Sequence, residues 1–381
     1  MARGPDGAGG GTGVSLADQL FNPDSIGDLA REYSVLPGFD PDRFLGEVLP
    51  GLPGTPLLAR LDLIADALER QLPRAFPAMA EVLEAAMPPE LDPSLKDNDF
   101  GRFIHAVPGV LAVRHGLEDH RERALDLLHR ATRRFSMEFY IRPFLNRWPD
   151  ETFARLERWV EDDKYHVRRL VSEGTRPRLP WAANIRTDPE RPLPLLDRLH
   201  ADDTRYVTRS VANHLNDISK IVPGAVTSRL VQWAAEDRQT SKELGWITRH
   251  ALRTAVKRGE PEALRLVGCD PDVAVAADLT VAAPSVRIGA ALEFEVVLTA
   301  EAPVTAMVDY RIAFHRPSGR VAEKVFKIKT LKLEAKMDER VSARHLLKRN
   351  ASTFTWHPGP HRLILQVNGI DRAEARFGVT D

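Results

Sequence analysis

A repeat of about forty residues constrains this chain more than any other feature. DDKYHVRRLVSE at Asp162–Glu173 aligns without gaps on DDTRYVTRSVAN at Asp202–Asn213, and KELGWITRHALR at Lys242–Arg253 continues the register. Val167, Val207 and Ile247 then coincide, as do Arg169, Arg209 and Arg249. A period near 40 is the signature of paired-helix solenoids of the HEAT type, in which each unit buries its apolar face on its neighbours. The first copy reads as one helix running into a Pro-rich corner. Val167, Leu170, Val171 and Gly174 give its buried stripe, and Gly174 is expected as the C-terminal cap. Pro177 cannot continue the helix, and Trp181 follows Pro180 on the corner.

The same register predicts a polar column at i, i+4 and i+8 on the second helix of each pair. The columns read Arg169–Glu173, Arg209–Asn213–Asp217 and Arg249–Arg253–Lys257. Stacking sets them side by side as a ladder of arginines holding two carboxylates, Glu173 and Asp217. One reading is a solvated face whose i,i+4 ion pairs contribute a few tenths of a kcal/mol each. The other is a surface built for a charged ligand. The repeat alone leaves both open.

The distribution of charge bears on that choice. Formal net charge is only -1. Yet Val14–Gly101 carries 6 Lys/Arg against 16 Asp/Glu, while Arg102–Arg258 carries 29 against 21. Such asymmetry suggests a polyanion-binding surface in the middle of the chain. Cys269 is the one cysteine, so an internal disulfide and a thiolate metal cluster are both excluded. His166, His214 and His250 fall at no ligand spacing and read as polar core or interface residues, so no metal and no cofactor is expected. No run approaches the roughly 18 apolar residues of a membrane span.

Residues 1–13, rich in Gly, read as a flexible tail. The acidic segment Ser15–Pro89 reads as helical scaffold, with Leu58, Leu61, Ile64, Ala65 and Leu68 on one face of LLARLDLIADALERQL. RERALDLLHRATRRFSMEFYIRPFL, Arg121–Leu145, continues the helices with a long apolar stripe. Glu138 lies there among Phe135, Met137, Phe139 and Tyr140, where a carboxylate is costly to bury unpaired. Sequence alone favours an ion pair with Arg134 or Arg142, four residues away, over a carboxylate held ready for a cation.

From Asp278 the texture alternates apolar and polar, which is strand-like. RPSGR at Arg316–Arg320 reads as a turn, and Val367–Asn368–Gly369–Ile370 as a hairpin. A phase switch in VFKIKTLKLEA predicts a bulge near Thr330. Lys327, Lys329 and Lys332 give that strand a charged face, for edge protection or for DNA. The expected architecture is an α-solenoid of HEAT-like helical repeats over residues 14–270, followed by a smaller all-β immunoglobulin-like sandwich over 275–381.

IRPFL (Ile141–Leu145), HVRRLVSEGTRPRLPWA (His166–Ala182), SVANHLNDISK (Ser210–Lys220) and RHALRT (Arg249–Thr254) resemble the AlkC branch of the AlkC/AlkD family of bacterial DNA glycosylases specific for alkylated bases. The resemblance covers roughly residues 15 to 270, and an immunoglobulin-like tail marks one AlkC subgroup. It implies hydrolysis of the N-glycosidic bond of cationic alkylated bases, 3-methyladenine first, in duplex DNA cradled by the solenoid. It further implies that the base is not flipped into a deep pocket. Carried over by motif, Glu138, Glu173 and Trp181 match active-site positions, and Asp217 matches as a fourth. The family's usual small residue near Tyr140 is a bulky aromatic here. Arg168, Arg169, Arg176, Arg178, Arg209, Lys220, Arg249 and Arg253 are the expected DNA contacts. The resemblance implies a monomer that meets duplex DNA containing alkylated bases in the bacterial cytoplasm, at the nucleoid.

The inventory suits that chemistry. A base alkylated on a ring nitrogen is already cationic and leaves without protonation. What remains is to stabilise an oxocarbenium-like sugar and aim a water, which carboxylates do. The competing classes are a non-catalytic DNA-binding solenoid and a protein-binding HEAT scaffold. A scaffold needs no carboxylates among its arginines and should show apolar patches instead.

Overall fold

The computed structural model describes residues 15–95, 99–317, 319, 322–349, 351 and 354–381. The expected tail over residues 1–13 lies outside them, as do Ser318 and Arg320 of the expected RPSGR turn. Two compact units divide the chain. Residues up to Val222 with Glu236–Ile247 form the first, and Pro223–Ala235 with Thr248–Asp381 form the second.

The first unit is built mainly of α-helices. Its helices are α1 (Leu16–Leu20), α2 (Pro23–Tyr33), α3 (Pro41–Val48), α4 (Leu57–Glu69), α5 (Phe76–Ala85), α6 (Val107–Gly116), α7 (Arg121–Thr132), α8 (Ile141–Arg147), α9 (Pro149–Trp159), α10 (Tyr165–Gly174), α11 (Leu193–Leu199) and α12 (Arg205–Ile218). Helix starts follow local chemistry. Pro23 opens α2 behind an Asn22–Ser25 capping box, and Pro41 opens α3 behind the Asp40 cap. The α4 stripe of Leu61, Ile64, Ala65 and Leu68 is buried.

The forty-residue period appears as repeated inter-repeat staples. Arg191 reaches Asp150 at 2.6 Å, Arg198 the Glu157 carbonyl at 3.1 Å and Arg238 the Asp197 carbonyl at 3.2 Å, each 41 residues back. The two Asp-Asp pairs also act alike. Asp162 Oδ1 accepts from the Lys164 amide and Asp202 Oδ1 from the Thr204 amide, which turns the chain into α10 and α12. Each also receives a guanidinium from the layer before, Arg133 on Asp162 and Arg168 on Asp202. Between α10 and α12, Val167, Leu170, Val171, Val207 and Val211 are wholly buried. The apolar run Arg121–Leu145 is broken: α7 ends at Thr132 and α8 starts at Ile141. Thr132 Oγ1 accepts from the Met137 amide at 3.1 Å and bends the connector that carries Ser136 and Glu138.

The second unit contains most of α13 (Pro223–Glu236), and the division falls inside α14 (Ser241–Ala251). α15 (Arg253–Lys257) and α16 (Pro261–Leu266) precede the strands β1 (Val275–Val281), β2 (Ser285–Arg287), β3 (Ala291–Ala300), β4 (Val304–Phe314), β5 (Ala322–Leu333), β6 (Asp338–Leu346), β7 (Gly359–Val367) and β8 (Ile370–Thr380). One sheet runs β1-β3-β6 and the other β2-β8-β7-β4-β5. Their inner faces bury Phe294, Val296, Leu298, Val308, Ile312, Leu363 and Leu365, the core of an immunoglobulin-like sandwich. The β7–β8 turn has φ of 50° at Asn368 and 77° at Gly369, as a two-residue hairpin demands. The Asn368 side-chain Nδ2 donates to the carbonyls of Asp270 and Thr305, fixing the hairpin tip to the segment after α16 and to β4. The bulge in β5 falls at Ile328, two residues before Thr330. Val308 pairs with Lys329 and Asp309 with Lys327, so Ile328 is the extra residue. Among the described residues, no helix is long and apolar enough to cross a membrane.

Candidate active site

The site grows from the end of α10. Gly174 is the last residue of that helix and has no left-handed backbone, contrary to the cap expected of it. Its constraint is space, since a Cβ there would meet Ile141 Cγ2 at 2.6 Å. Thr175 closes the helix instead, its hydroxyl donating to the Val171 carbonyl at 2.6 Å. The chain then turns the Pro-rich corner around Arg142, a wholly buried arginine. Arg142 donates to the carbonyls of Gly174 (3.1 Å), Arg176 (2.8 Å), Pro177 (3.3 Å) and Ala183. On the corner so held, Trp181 has φ of 66° and stays 52 % exposed. A non-glycine residue there carries strain of about 1–3 kcal/mol, which marks a position set by its surroundings.

Behind the corner runs an alternating chain of charges. Arg169 Nη1 donates to Glu138 Oε2 and, at 2.8 Å, to Ser136 Oγ, which itself donates to Glu138 at 2.8 Å. Arg169 Nη2 lies 3.6 Å from Glu173 Oε2. Arg176 Nη1 donates to Glu173 Oε1 at 2.5 Å, and its Nη2 and Nε to Asp217 Oδ2 at 2.7 and 2.9 Å. Lys220 Nζ closes the series on Asp217 Oδ1 at 2.9 Å. Three carboxylates and three cations thus alternate, as buried charge requires. Ser210, from α12, donates to Glu173 at 2.6 Å. The Arg169 guanidinium lies over the Tyr206 ring, 4.9 Å from its centroid.

The two glutamates differ electrostatically. Burial pushes the Glu173 carboxyl up, but Arg169, Arg176 and the Ser210 hydrogen bond outweigh it and hold it at about 2. Burial also pushes Glu138 up; Arg169 opposes the shift, the Glu173 charge adds to it, and the result lies above the ordinary carboxylate range. Burial, then the adjacent Arg176 charge, takes His214 down to about 3, so it is a neutral core residue. His166 is likewise core, stacked on Tyr165 at 4.0 Å.

The expected site residues therefore divide. Glu138, Glu173 and Asp217 meet in one network, with Arg169, Arg176 and Lys220 as their counterions. Arg168 points elsewhere, into its Asp202 staple at 2.6 Å. Arg178 is exposed on the corner, and Arg209 is half-buried beside Ser210 on α12. Arg249 and Arg253 belong to the second unit, where both are exposed. Glu138 pairs with neither Arg134 nor Arg142. Arg134 serves the Pro88 carbonyl and Glu90, and Arg142 serves the corner. Ser210 and Tyr206 escaped sequence reasoning, because their contacts to the network cross between helices, and Ser136 did because its bond to Glu138 depends on the bend of the connector. Arg142 was seen only as a partner for Glu138. Tyr140 fits because Gly109 lies beneath it, where a Cβ would meet the ring at 2.2 Å.

Comparison with known proteins finds relatives along nearly the whole chain. Residues 275–381 match the family described as "Uncharacterised protein YhaZ, C-terminal Ig-like domain". The "Uncharacterized protein YhaZ" of Bacillus subtilis is 31% identical over 371 residues, 95% of this chain and 98% of that protein. The alkylpurine DNA glycosylase AlkC of Pseudomonas fluorescens, solved bound to DNA containing an abasic site analog, is 32% identical, with a TM-score of 0.81. That match covers 96% of this chain and 100% of the other. Fold, helical repeat and immunoglobulin-like tail together make this chain a member of the AlkC branch of the AlkC/AlkD family, in the subgroup with a C-terminal immunoglobulin-like domain.

Proposed function

We propose that this protein is a monofunctional DNA glycosylase that removes cationic alkylated bases, 3-methyladenine first, from duplex DNA without turning the base into a deep pocket. The observation that carries the proposal is the pairing of Glu138 and Glu173 on one guanidinium, that of Arg169, with Trp181 exposed on the corner that follows α10. The C1′–N bond breaks, its electron pair goes to the base, and the base leaves neutral. Water adds to C1′ and gives up a proton. Glu173, locked ionised between two arginines, faces the developing cationic sugar. Glu138, the more basic of the two, accepts the proton of the attacking water. On the first unit, exposed Arg178 anchors phosphates, and on the second unit exposed Arg249 and Arg253 do so separately. A scaffold that only bound DNA would gain nothing from a buried carboxylate pair. The test is incubation with methylated genomic DNA and identification of the bases set free. Free 3-methyladenine above the spontaneous background is expected, and its absence would overturn the proposal.

The pH dependence follows from the same asymmetry. Excision needs Glu138 ionised, so the single-turnover rate should fall as pH drops through its raised pKa. That fall begins at higher pH than for an ordinary carboxylate. Glu173, held at about 2, stays ionised across this window and adds no limb of its own. In Glu138→Gln the acidic limb should vanish from the residual rate. An unchanged limb in that variant would exclude Glu138 as the proton acceptor.

A further inference from the structure

Among the described Phe, Tyr and Trp side chains, two are exposed, Trp181 at 52 % and Phe100 at 48 %. Trp181 stands on the corner after α10, and Phe100 stands near the carboxylate network. Phe100 reaches it in two steps. Its ring meets the Tyr206 ring edge-on at 5.2 Å, and Tyr206 carries the Arg169 guanidinium that holds Glu138. Exposure here is not looseness, because the chain is fixed on both sides of the ring. The Asp99 carbonyl accepts from His166 Nε2 at 3.1 Å, and the Gly101 amide donates to Asp99 Oδ1 at 3.2 Å. Gly101 pairs with Phe135, just before Ser136 and Glu138. It has φ of 67°, and a Cβ there would meet the Arg134 carbonyl oxygen at 1.9 Å. A large apolar ring is thus held in water, in a set direction, at the rim of a charged site.

We infer that Phe100 is a substrate-contacting residue that sets specificity for cationic bases. This rests on the glycosylase reading above. Its free face packs on the damaged nucleotide, where an aromatic face attracts a positive ring and is indifferent to a neutral one. Phe100 then supplies aromatic surface at a site whose carboxylates supply charge. A ring that served only to cover Tyr206 would be replaceable by any apolar side chain of similar size.

The test compares wild type with Phe100→Ala, Phe100→Leu and Phe100→Tyr. Single-turnover release of 3-methyladenine from methylated duplex is measured beside affinity for undamaged duplex and thermal melting. Phe100→Ala is expected to lower release on the order of tenfold, with affinity for undamaged DNA and melting close to wild type. Phe100→Tyr should restore the rate and Phe100→Leu should not. Full activity in Phe100→Ala, or rescue by Phe100→Leu, would overturn the contact while leaving the glycosylase reading intact. No release by the wild-type protein would overturn that reading, and the Phe100 contact with it.

Discussion

Glu173→Gln is expected to slow release of 3-methyladenine on the order of 100- to 1000-fold, with affinity for duplex DNA near that of wild type. Glutamine keeps the shape, its oxygen can accept from Arg176, and its NH2 can donate to the Ser210 hydroxyl, which turns its own proton to Ser172, so the local packing survives. What disappears is a negative charge fixed before the sugar becomes cationic, and interactions made only in the transition state act on the rate. The alternation of charges protects the fold of this variant. Arg169 keeps Glu138 and Arg176 keeps Asp217, so neither cation is left buried without a carboxylate. Glu138→Gln should lower the rate comparably, since Arg169 then keeps Glu173. Normal excision by both variants would refute the carboxylate mechanism and leave positioning of an already labile base as the source of the rate.

Arg142→Met is expected to lower stability by about 2–5 kcal/mol, read as a lower urea midpoint, and to cut excision at least tenfold. Methionine fills much of the volume but donates nothing, so the carbonyls of Gly174 and Arg176 lose their buried partner. The strained conformation of Trp181 and the approach of Arg176 to Glu173 both depend on that corner. Arg142→Lys should recover only part of the loss, because one ammonium cannot span four carbonyls. Stability and activity both at wild-type values would show that the corner holds without this arginine.

The repeat was legible because it is written in local spacing. Coincident Val167, Val207 and Ile247 and recurring Asp-Asp pairs sufficed to place α10 and α12, and i,i+4 spacing sufficed for Arg169 beside Glu173. The partners that complete the site were not legible, because they are far apart in the chain. Arg169 lies 31 residues from Glu138, Ser210 lies 37 from Glu173, and Arg176 lies 41 from Asp217. A period fixes which helices stack, but not the stagger that decides which side chains meet. Arg168 and Arg169 illustrate the limit. As sequence neighbours they point about 100° apart around a helix, so one became a staple to Asp202 and the other the hub of the site. Gly174 misled for a related reason, since close approach of Ile141 and a helix cap both call for glycine. In the β-sandwich, alternation and the Asn-Gly pair gave strands and hairpin. Register pairing alone moved the bulge from Thr330 to Ile328.

The most direct measurement is single-turnover excision on methylated duplex by wild type and Glu173→Gln, each at saturating protein, with the freed bases identified. Rapid release of 3-methyladenine by wild type is expected, with release near the spontaneous background by a variant that still binds the duplex. Equal release by the two proteins, or none by either, would contradict a glycosylase built on this carboxylate pair.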